Sequence, residues 1–345
     1  MRDHGHPVYH TRLRRWLRAG AAGLLASWLA ALCLPAAALA HGAVDPEASD
    51  DLATLSHIPA GIRARIVDGD LRIWMSVRPS MTVVVLDYQG GRFLRFDARG
   101  VQVNERSPMY YLNLTPQIAP SIKLTPTMAP EWHRVSDGHS DVWHDGRLAA
   151  LSQTLQAPGA RILGRWTVPL LVDGHRQEIS GLLRHRPRPT LGWWWPLAAA
   201  LLILPALLRL RDRALERRVS RPLAAVTILA AAAASIGAGL HGRPGVTGWL
   251  VAVMLAELAV LGWSAVRLIR GKDGPLSLGL VAIVAGYRGL VGVAVLWRGY
   301  ILLAIPALLS RVSIAVCLAG AVSLAVITVW TLDLERRPRQ RRAPT

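Results

Sequence analysis

Histidines are the residues of this chain whose type could support metal chemistry. The candidates are His41, His133, His139, His144 and His175. An imidazole together with a free α-amine suits copper(II), which prefers tetragonal nitrogen and oxygen ligands. His41 would carry such an amine if the chain were cleaved directly before it. The alternative is that all five are ordinary surface residues that bind no metal.

The short sequence patterns of common enzymes are missing. The chain contains no G-x-S-x-G, no Walker phosphate-binding loop, no H-E-x-x-H and no C-x-x-C. These patterns carry nucleophile, nucleotide, zinc or redox chemistry. We therefore expect a protein that is not an enzyme. A catalytic site would require Asp141, His144 and Asp145 to meet in one pocket.

Two ionisable residues lie inside long apolar stretches. Glu257 is near the middle of one predicted membrane span, and Arg288 is near the middle of the next. Charges at such a depth are costly unless they face a partner or a wet cavity. At about 1.5 Å per residue their depths agree to within about one helical turn. The sequence therefore predicts an intramembrane ion pair, and we interpret it as a structural brace rather than an ion pathway.

The charge of the chain indicates membrane topology rather than nucleic-acid binding. The formal net charge is +18, but Lys123 and Lys272 are the only lysines, and many arginines lie beside apolar stretches. A nucleic-acid-binding surface would carry its charge on a soluble helix or sheet. We expect no nucleic-acid partner.

Residues 1–40 have the pattern of a signal peptide. Four arginines within Arg12–Arg18 precede the apolar stretch Ala21–Leu34, and Ala38-Leu39-Ala40 provides a cleavage sequence. Cleavage would make His41 the first residue of the mature protein. An uncleaved N-terminal membrane helix is the alternative.

Five later stretches are long and apolar enough to cross a bilayer. They are Leu191–Leu208, Leu223–Leu240, Gly245–Val266, Leu276–Trp297 and Ser310–Leu332. Arginines are concentrated in the links after the first and third stretches and in the tail, residues 335–345, so all three lie on one side. The positive-inside rule makes that side the cytoplasm. We therefore predict a transmembrane domain at 190–334 in the bacterial cytoplasmic (inner) membrane, with the N-terminal domain outside and the C-terminus in the cytoplasm.

Residues 41–189 are predicted to form an extracytoplasmic β-rich domain. Short alternating stretches predict strands at Asp70–Val77, Thr82–Tyr88, Arg92–Phe96, Val101–Val103, Trp166–Leu171 and Glu178–Leu183. The turn sequences Asp68-Gly69 and Gln89-Gly90-Gly91 adjoin these stretches, and Asp173-Gly174 predicts a tight hairpin turn between the last two. A long helical pattern is missing, so an all-β sandwich-like domain is the simplest fold. The predicted fold class is this domain followed by an α-helical membrane bundle of about five transmembrane helices.

Three segments between these elements carry separate predictions. Pro116–Pro130 is expected to be a surface loop, and Trp193, Trp194 and Trp195 are expected at the membrane interface. Tyr300–Leu309 contains Pro306 and is too short to span a membrane. It predicts a surface or re-entrant turn, with a Pro-kinked helix from Ile301 as the alternative.

The two ends of the β-rich domain resemble exported copper-binding proteins of the CopC type. The resemblance rests on His41-Gly42 and on the run from Trp166-Thr167-Val168 through Asp173-Gly174-His175 to Ser180-Gly181. It implies a β-sandwich that binds one copper(II) through His41, Asp173 and His175, with copper-handling proteins as partners. His133, His139 and His144 are the alternative ligands.

The middle of the domain departs from that family. The segment Trp143-His144-Asp145-Gly146-Arg147, together with the apolar stretches, resembles a family of bacterial membrane proteins with an exported domain and a W-H-D-x-R segment. This second resemblance implies no known activity. Two functions therefore stay open: a non-enzymatic, copper-associated accessory protein that binds or transfers metal, and a membrane-anchored interaction or sensory module without metal. The lipid bilayer is the expected partner in both.

Overall fold

The computed structural model describes residues 46–114, 128–150, 160–190, 192, 213–242, 247–272 and 274–340. Strands fill the first part of this range and helices the second. Contacts join the described residues from Pro46 onward into one unit. Several predictions fall outside the described residues: the signal peptide, His41, most of the loop 116–130, the first span and its three tryptophans.

The elements are numbered along the chain. The strands are β1 (Ala48–Ser49), β2 (Asp51–His57), β3 (Ile62–Val67), β4 (Arg72–Val77), β5 (Val83–Leu86), β6 (Arg92–Asp97), β7 (Gly100–Asn104), β8 (Trp132–Ser136), β9 (Ser140–His144), β10 (Ile162–Val172), β11 (His175–His185) and β12 (Tyr300–Ile301). The helices are α1 (Pro108–Leu114), α2 (Arg147–Ala150), α3 (Arg213–Gly239), α4 (Thr247–Ile269), α5 (Pro275–Val291) and α6 (Ala307–Gln340), with a 3₁₀ turn at Val293–Leu296.

The strands of the β-rich domain form two antiparallel sheets. The larger sheet has the order β2-β11-β10-β5-β6-β7-β8, and the smaller one has the order β3-β4-β9. One hydrophobic core receives side chains from both sheets, among them Ile73 and Met75 from β4 and Phe96 and Val168 from the larger sheet. All four side chains are fully buried. The core therefore lies between the two sheets.

The long hairpin β10–β11 follows directly from its sequence. Trp166, Val168 and Leu170 are buried while Thr167 between them is exposed, which is the alternation of a strand with one buried face. The two strands join at Asp173-Gly174, where both residues have positive φ (48° and 86°), as a two-residue hairpin turn of type I′ requires. The predicted hairpin is confirmed.

Three described helices are long and apolar enough to cross a membrane. They are Val219–Gly239 within α3, Thr247–Ile269 (α4) and Ala307–Val329 within α6. Small buried residues such as Ala231 and Ala285 allow the helices to approach closely. The described residues thus have a β-rich N-terminal region and three candidate membrane-spanning helices, fewer than the five predicted spans.

The fourth predicted span is shorter than the sequence suggested. α5 ends at Val291 instead of Trp297, because the chain leaves the helix at Gly292 and continues as the 3₁₀ turn. Its 17 residues lie at the short end of the range of about 17–25 that a membrane span uses. Arg288 consequently lies in the last turn of α5 and not near the middle of a span.

The last helix also differs from its prediction at both ends. Tyr300 and Ile301 form β12, and α6 begins at Ala307, directly after Pro306. The chain therefore makes a turn with a short strand here, and a Pro-kinked helix from Ile301 is wrong. α6 continues to Gln340, so the predicted basic tail begins as helix.

Candidate functional site

The first described residues of the β-rich domain pack into the helical region. β1 pairs with β12, with Ala48 opposite Ile301, and the Leu302 N–H donates to the carbonyl oxygen of Glu47 at 2.8 Å. Ala48 is 6% exposed and belongs to the hydrophobic core of the helices. We call Pro46–Asp50 the docking segment. Through it the β-rich domain is joined to the helices by backbone pairing and by a shared core.

Three charged side chains meet where the docking segment contacts α4 and α5. Arg288 donates to Oε2 of Glu257 from Nε at 2.7 Å and from Nη2 at 2.6 Å. Its Nη1 lies 3.8 Å from Oε1 of Glu47. All three residues are buried. The guanidinium of Arg288 therefore pairs with one carboxylate of the helical region and with one carboxylate of the docking segment.

Gly292 leaves the space that the Glu47 side chain occupies. A Cβ atom at this position would lie 2.8 Å from Oε2 of Glu47 and would also meet the side chain of Ile314. Such a distance is shorter than a carbon–oxygen contact allows. A larger residue at position 292 would therefore displace the Glu47 carboxylate from its place beside α5.

Asp50 forms a second polar contact at the same junction. Its Oδ2 accepts hydrogen bonds from Arg188 Nε at 2.9 Å and from Arg298 Nη1 at 2.5 Å, and its Oδ1 accepts from the Gly299 N–H at 3.2 Å. The Asp50 carbonyl oxygen accepts from the Arg186 N–H at 3.0 Å. Asp50 thus binds the end of β11 and the segment before β12 together.

Two carboxyl groups at the junction have shifted pKa values in opposite directions. Burial acts to raise the pKa of Asp50, but the hydrogen bonds from Arg188, Arg298 and Gly299, with the charge of Arg298, outweigh it and hold the pKa below its usual value. Burial and the charge of Asp51 raise the pKa of Asp70 to about 6, against the charge of Arg298 and a backbone hydrogen bond. Asp50 therefore stays ionised at mildly acidic pH, whereas Asp70 titrates there.

The W-H-D-x-R segment forms a buried hydrogen-bonded brace inside the β-rich domain. Asp145 Oδ2 accepts from Trp143 Nε1 at 3.0 Å and from Arg147 Nη2 at 2.6 Å, and Oδ1 accepts from Arg147 Nε at 2.8 Å. Arg147 also donates to the Leu86 carbonyl at 2.9 Å and stacks over the ring of Tyr88. The segment therefore ties β9 of the smaller sheet to the end of β5 in the larger one.

The three residues considered for a catalytic pocket have separate environments. Asp141 and His144 are three positions apart in β9, so their side chains point to opposite faces of the strand. Asp145 already uses both carboxylate oxygens in the brace. Burial raises the pKa of Asp141, and burial with the charge of Arg72 lowers the pKa of His144 against the opposing charge of Asp145.

Asp173 and His175 flank the β10–β11 turn. Asp173 Oδ1 accepts from the Thr82 N–H at 2.8 Å, so this carboxylate holds the turn against the start of β5. His175 is exposed. Because β11 has 11 residues, the turn lies about 33 Å from the end of the sheet that contacts the docking segment. A copper site made of all three implied ligands requires His41 to lie beside the β10–β11 turn. His41 is outside the described residues.

The alternative histidines are distributed over two sheets. His133 lies in β8, His139 lies in the following turn, and His144 ends β9. His133 Nδ1 is 3.9 Å from Glu105 Oε1. Within the described ranges, no group of three or more His, Cys, Asp or Glu side chains is arranged to hold a metal ion.

The residues of the junction were not identified from the sequence, apart from Glu257 and Arg288. Glu47 and Asp50 follow the predicted cleavage site by only a few residues, and Arg298 lies two residues before the predicted turn that begins at Tyr300. The opposite charges of these two polar segments are the signal that could have indicated a contact. Charge alone does not choose between such partners, which explains why the contact was missed.

No family model, no curated protein and no solved structure matches this chain. The two resemblances stated from the sequence therefore stay predictions. The function has to be argued from the contacts of the junction and of the β-rich domain.

Proposed function

We propose that this protein is a non-enzymatic membrane-anchored sensory or interaction module, in which the β-rich domain receives a partner or signal and the docking segment relays it to the helices. The observation that supports this proposal is the docking segment itself. It continues directly into β2 of the larger sheet, yet Ala48 is part of the helical core. A shift of the larger sheet would therefore displace Glu47 relative to Arg288.

The proposal includes a definite architecture. The two sheets around one core form the sandwich-like domain, and about five helices cross the membrane, with Leu191–Leu208 as the first and α5 as the fourth. The signal-peptide pattern and the arginine-rich links support an exported β-rich domain and a cytoplasmic C-terminus in the inner membrane. The Arg65 Nη2 group donates to the Gly242 carbonyl at 3.4 Å, which supports a position of the α3–α4 link on the side of the β-rich domain.

A relay can be tested by perturbing the β-rich domain and measuring the helices. Ile179→Ala removes a fully buried side chain from β11, whose C-terminal end leads to Arg186 and the junction. In the full chain in nanodiscs, we expect hydrogen exchange to increase by about fivefold or more at Leu302 and in the last turn of α5, because coupling energies are about 1–3 kcal/mol. The exchange rates of the individual amides are measured by mass spectrometry.

The same perturbation is then repeated with the junction weakened. In the Asp50→Asn background, Ile179→Ala should no longer change exchange in α5, because the bonds to Arg188 and Arg298 lose their charge. Asp137→Asn is the matched control, since this exposed carboxylate pairs with Arg134 away from the junction. Exchange changes that stay within the β-rich domain in the wild-type background would contradict the relay.

A further inference from the structure

A surface cavity lies at one end of the smaller sheet, where β3 begins and β4 ends. Its volume is about 320 Å³, and small-molecule sites measure about 300–1,000 Å³. Two of the residues that line it, Arg63 and Arg78, are exposed arginines. The proposed relay does not use these two residues.

The pairing of β3 with β4 places both arginines on the same face of the smaller sheet. Arg63 lies directly opposite Ser76, which faces outward because the residues on either side of it belong to the core. The Arg78 N–H donates to the Gly61 carbonyl at 3.3 Å, so the pairing continues for one residue beyond β4. Arg63 and Arg78 are thus diagonal neighbours, and such positions are about 7–8 Å apart.

The turn before β3 holds the side chain of Arg78 at the rim of the cavity. Gly61 in this turn has a φ of 85°, and a Cβ atom there would lie 3.7 Å from Cδ of Arg78 and would clash with Sδ of Met81. The aliphatic part of Arg78 therefore packs on the turn. This packing limits the positions that its guanidinium group can take.

Positive charge accumulates around the cavity. Within the described ranges, neither Arg63 nor Arg78 forms an ion pair, and neither side chain makes a hydrogen bond to another residue. Arg65, on the same face of β3, is about 7 Å further along the strand, and it donates to the neutral Gly242 carbonyl. An anion in the cavity would therefore compensate charge that the described protein groups leave uncompensated.

We propose that this cavity binds the phosphate group of a small phosphate ester or of a phospholipid headgroup. Guanidinium groups match phosphate geometry and form paired, charge-assisted hydrogen bonds with it. The hydroxyl of Ser76, beside Arg63, adds a neutral donor. The bond from Arg65 to Gly242 places the cavity near the α3–α4 link, where both sources of phosphate have access.

The site would supply the ligand of the proposed sensory domain. Only this role rests on the proposed function, because binding is measured directly and without the relay. Absence of exchange changes in α5 would reject the relay and would leave the binding site unaffected.

The binding test uses glycerol phosphate, because its phosphate group also occurs in phospholipid headgroups. The full chain in phosphatidylcholine nanodiscs is titrated by calorimetry, and the wild type should show saturable binding. Arg63→Gln and Arg78→Gln should each weaken binding about tenfold, because each removes charge-assisted hydrogen bonds. Arg176→Gln removes an exposed arginine at the far hairpin and should bind as the wild type does.

A variant that fills the cavity separates a specific site from general attraction to positive charge. Ser76→Leu keeps both arginines and places an apolar side chain in the cavity, so it should also weaken binding about tenfold. Circular dichroism melting curves check that each variant is folded. Equal affinity of the wild type, Ser76→Leu and both glutamine variants would overturn the proposal, and so would the absence of saturable binding by the wild type.

Retained lipid then distinguishes the two sources of phosphate. Wild type and Ser76→Leu are purified from nanodiscs that contain phosphatidylglycerol, and bound lipid is counted by native mass spectrometry. Higher retention by the wild type would identify a lipid headgroup as the ligand. Equal retention, together with saturable binding of glycerol phosphate, would identify a soluble ester.

Discussion

Arg288 bonds with carboxylates from two distant parts of the chain. The sequence predicted its pairing with Glu257, and the structure joins these two side chains at 2.6 Å and 2.7 Å. The additional carboxylate of Glu47 could not be predicted, because it comes from a segment that has no membrane character. The predicted ion pair is therefore a cluster of three charged side chains, and replacing one of them changes the electrostatic environment of the other two.

The first prediction concerns this group. Arg288→Gln alone removes the buried guanidinium that Glu257 and Glu47 share and should lower the free energy of unfolding by about 3–5 kcal/mol. Adding Glu47→Gln and Glu257→Gln should recover much of that loss, because no uncompensated charge remains. Unfolding of the full chain in detergent, followed by circular dichroism, measures both values. A triple variant as unstable as Arg288→Gln would show that the residues are not energetic partners.

The second prediction tests copper(II) at the implied ligands. If His41 supplies an amine and an imidazole and His175 a further nitrogen, the mature protein should bind about one equivalent of copper(II). An extra residue before His41, or His175→Ala, should each weaken binding by more than about tenfold, or 1.4 kcal/mol. Calorimetric titration of the full chain measures the affinity. Equal affinity in all three proteins would indicate another site, for which His133, His139 and His144 are the first candidates.

At the scale of elements, the turn between β3 and β4 lies against the docking segment. The Gly69 carbonyl accepts from the Ala53 N–H at 3.0 Å, and a Cβ at Gly69 would touch the Ser49 side chain. Asp70 in this turn is thereby half-buried and feels the charge of Asp51. Protonation of Asp70 in this turn can therefore alter the contact between the β-rich domain and the docking segment.

The third prediction follows from the raised pKa of Asp70. The folded protein binds a proton at about pH 6 that the unfolded chain binds only near 3.8, so the stability contribution of Asp70 is full below about pH 4 and is lost as pH rises through 6. Asp70→Asn should remove this decline, and its melting temperature should exceed that of the wild type most clearly above pH 6. The lowered pKa of Asp50 affects the free energy of unfolding only below about pH 4, outside the pH range of the Asp70 effect. Parallel pH profiles of melting temperature for both proteins would contradict the assignment.

Elements were predictable from the sequence where local patterns were strong. The windows for β4 to β7 and the β10–β11 hairpin coincide with observed strands, because alternation and turn residues act locally. β2 carries several polar residues and gave no comparable pattern. β3 does alternate apolar and charged residues, so this strand was predictable from the sequence and was missed. The pairing of β1 with β12 depends on two-residue strands that only tertiary contacts stabilise. Local sequence cannot predict such a contact.

At the scale of the whole molecule, the fourth prediction concerns orientation. The Gly242 carbonyl accepts a bond from Arg65 of the β-rich domain, whereas Lys272 lies at the other end of α4. A reporter fused after Gly242 should therefore report a position on the outer side of the cytoplasmic membrane. Reporters fused after Arg218 or Lys272 should report a position in the cytoplasm. Alkaline phosphatase and fluorescent-protein fusions give the two readouts. An external signal from the Lys272 fusion would reject the proposed topology.

The distance in sequence across the junction also sets an order of assembly. Asp50 and Arg298 are 248 residues apart, and a ribosome adds about 5–20 residues per second, so the partner of Asp50 is synthesised roughly 12–50 s after Asp50 itself. Until α5 is synthesised near the end of that interval, the docking segment has neither Arg288 nor β12 to bind. Docking is therefore a late step in biogenesis, and a chain that stops before α5 leaves the docking segment exposed for a quality-control protease to recognise.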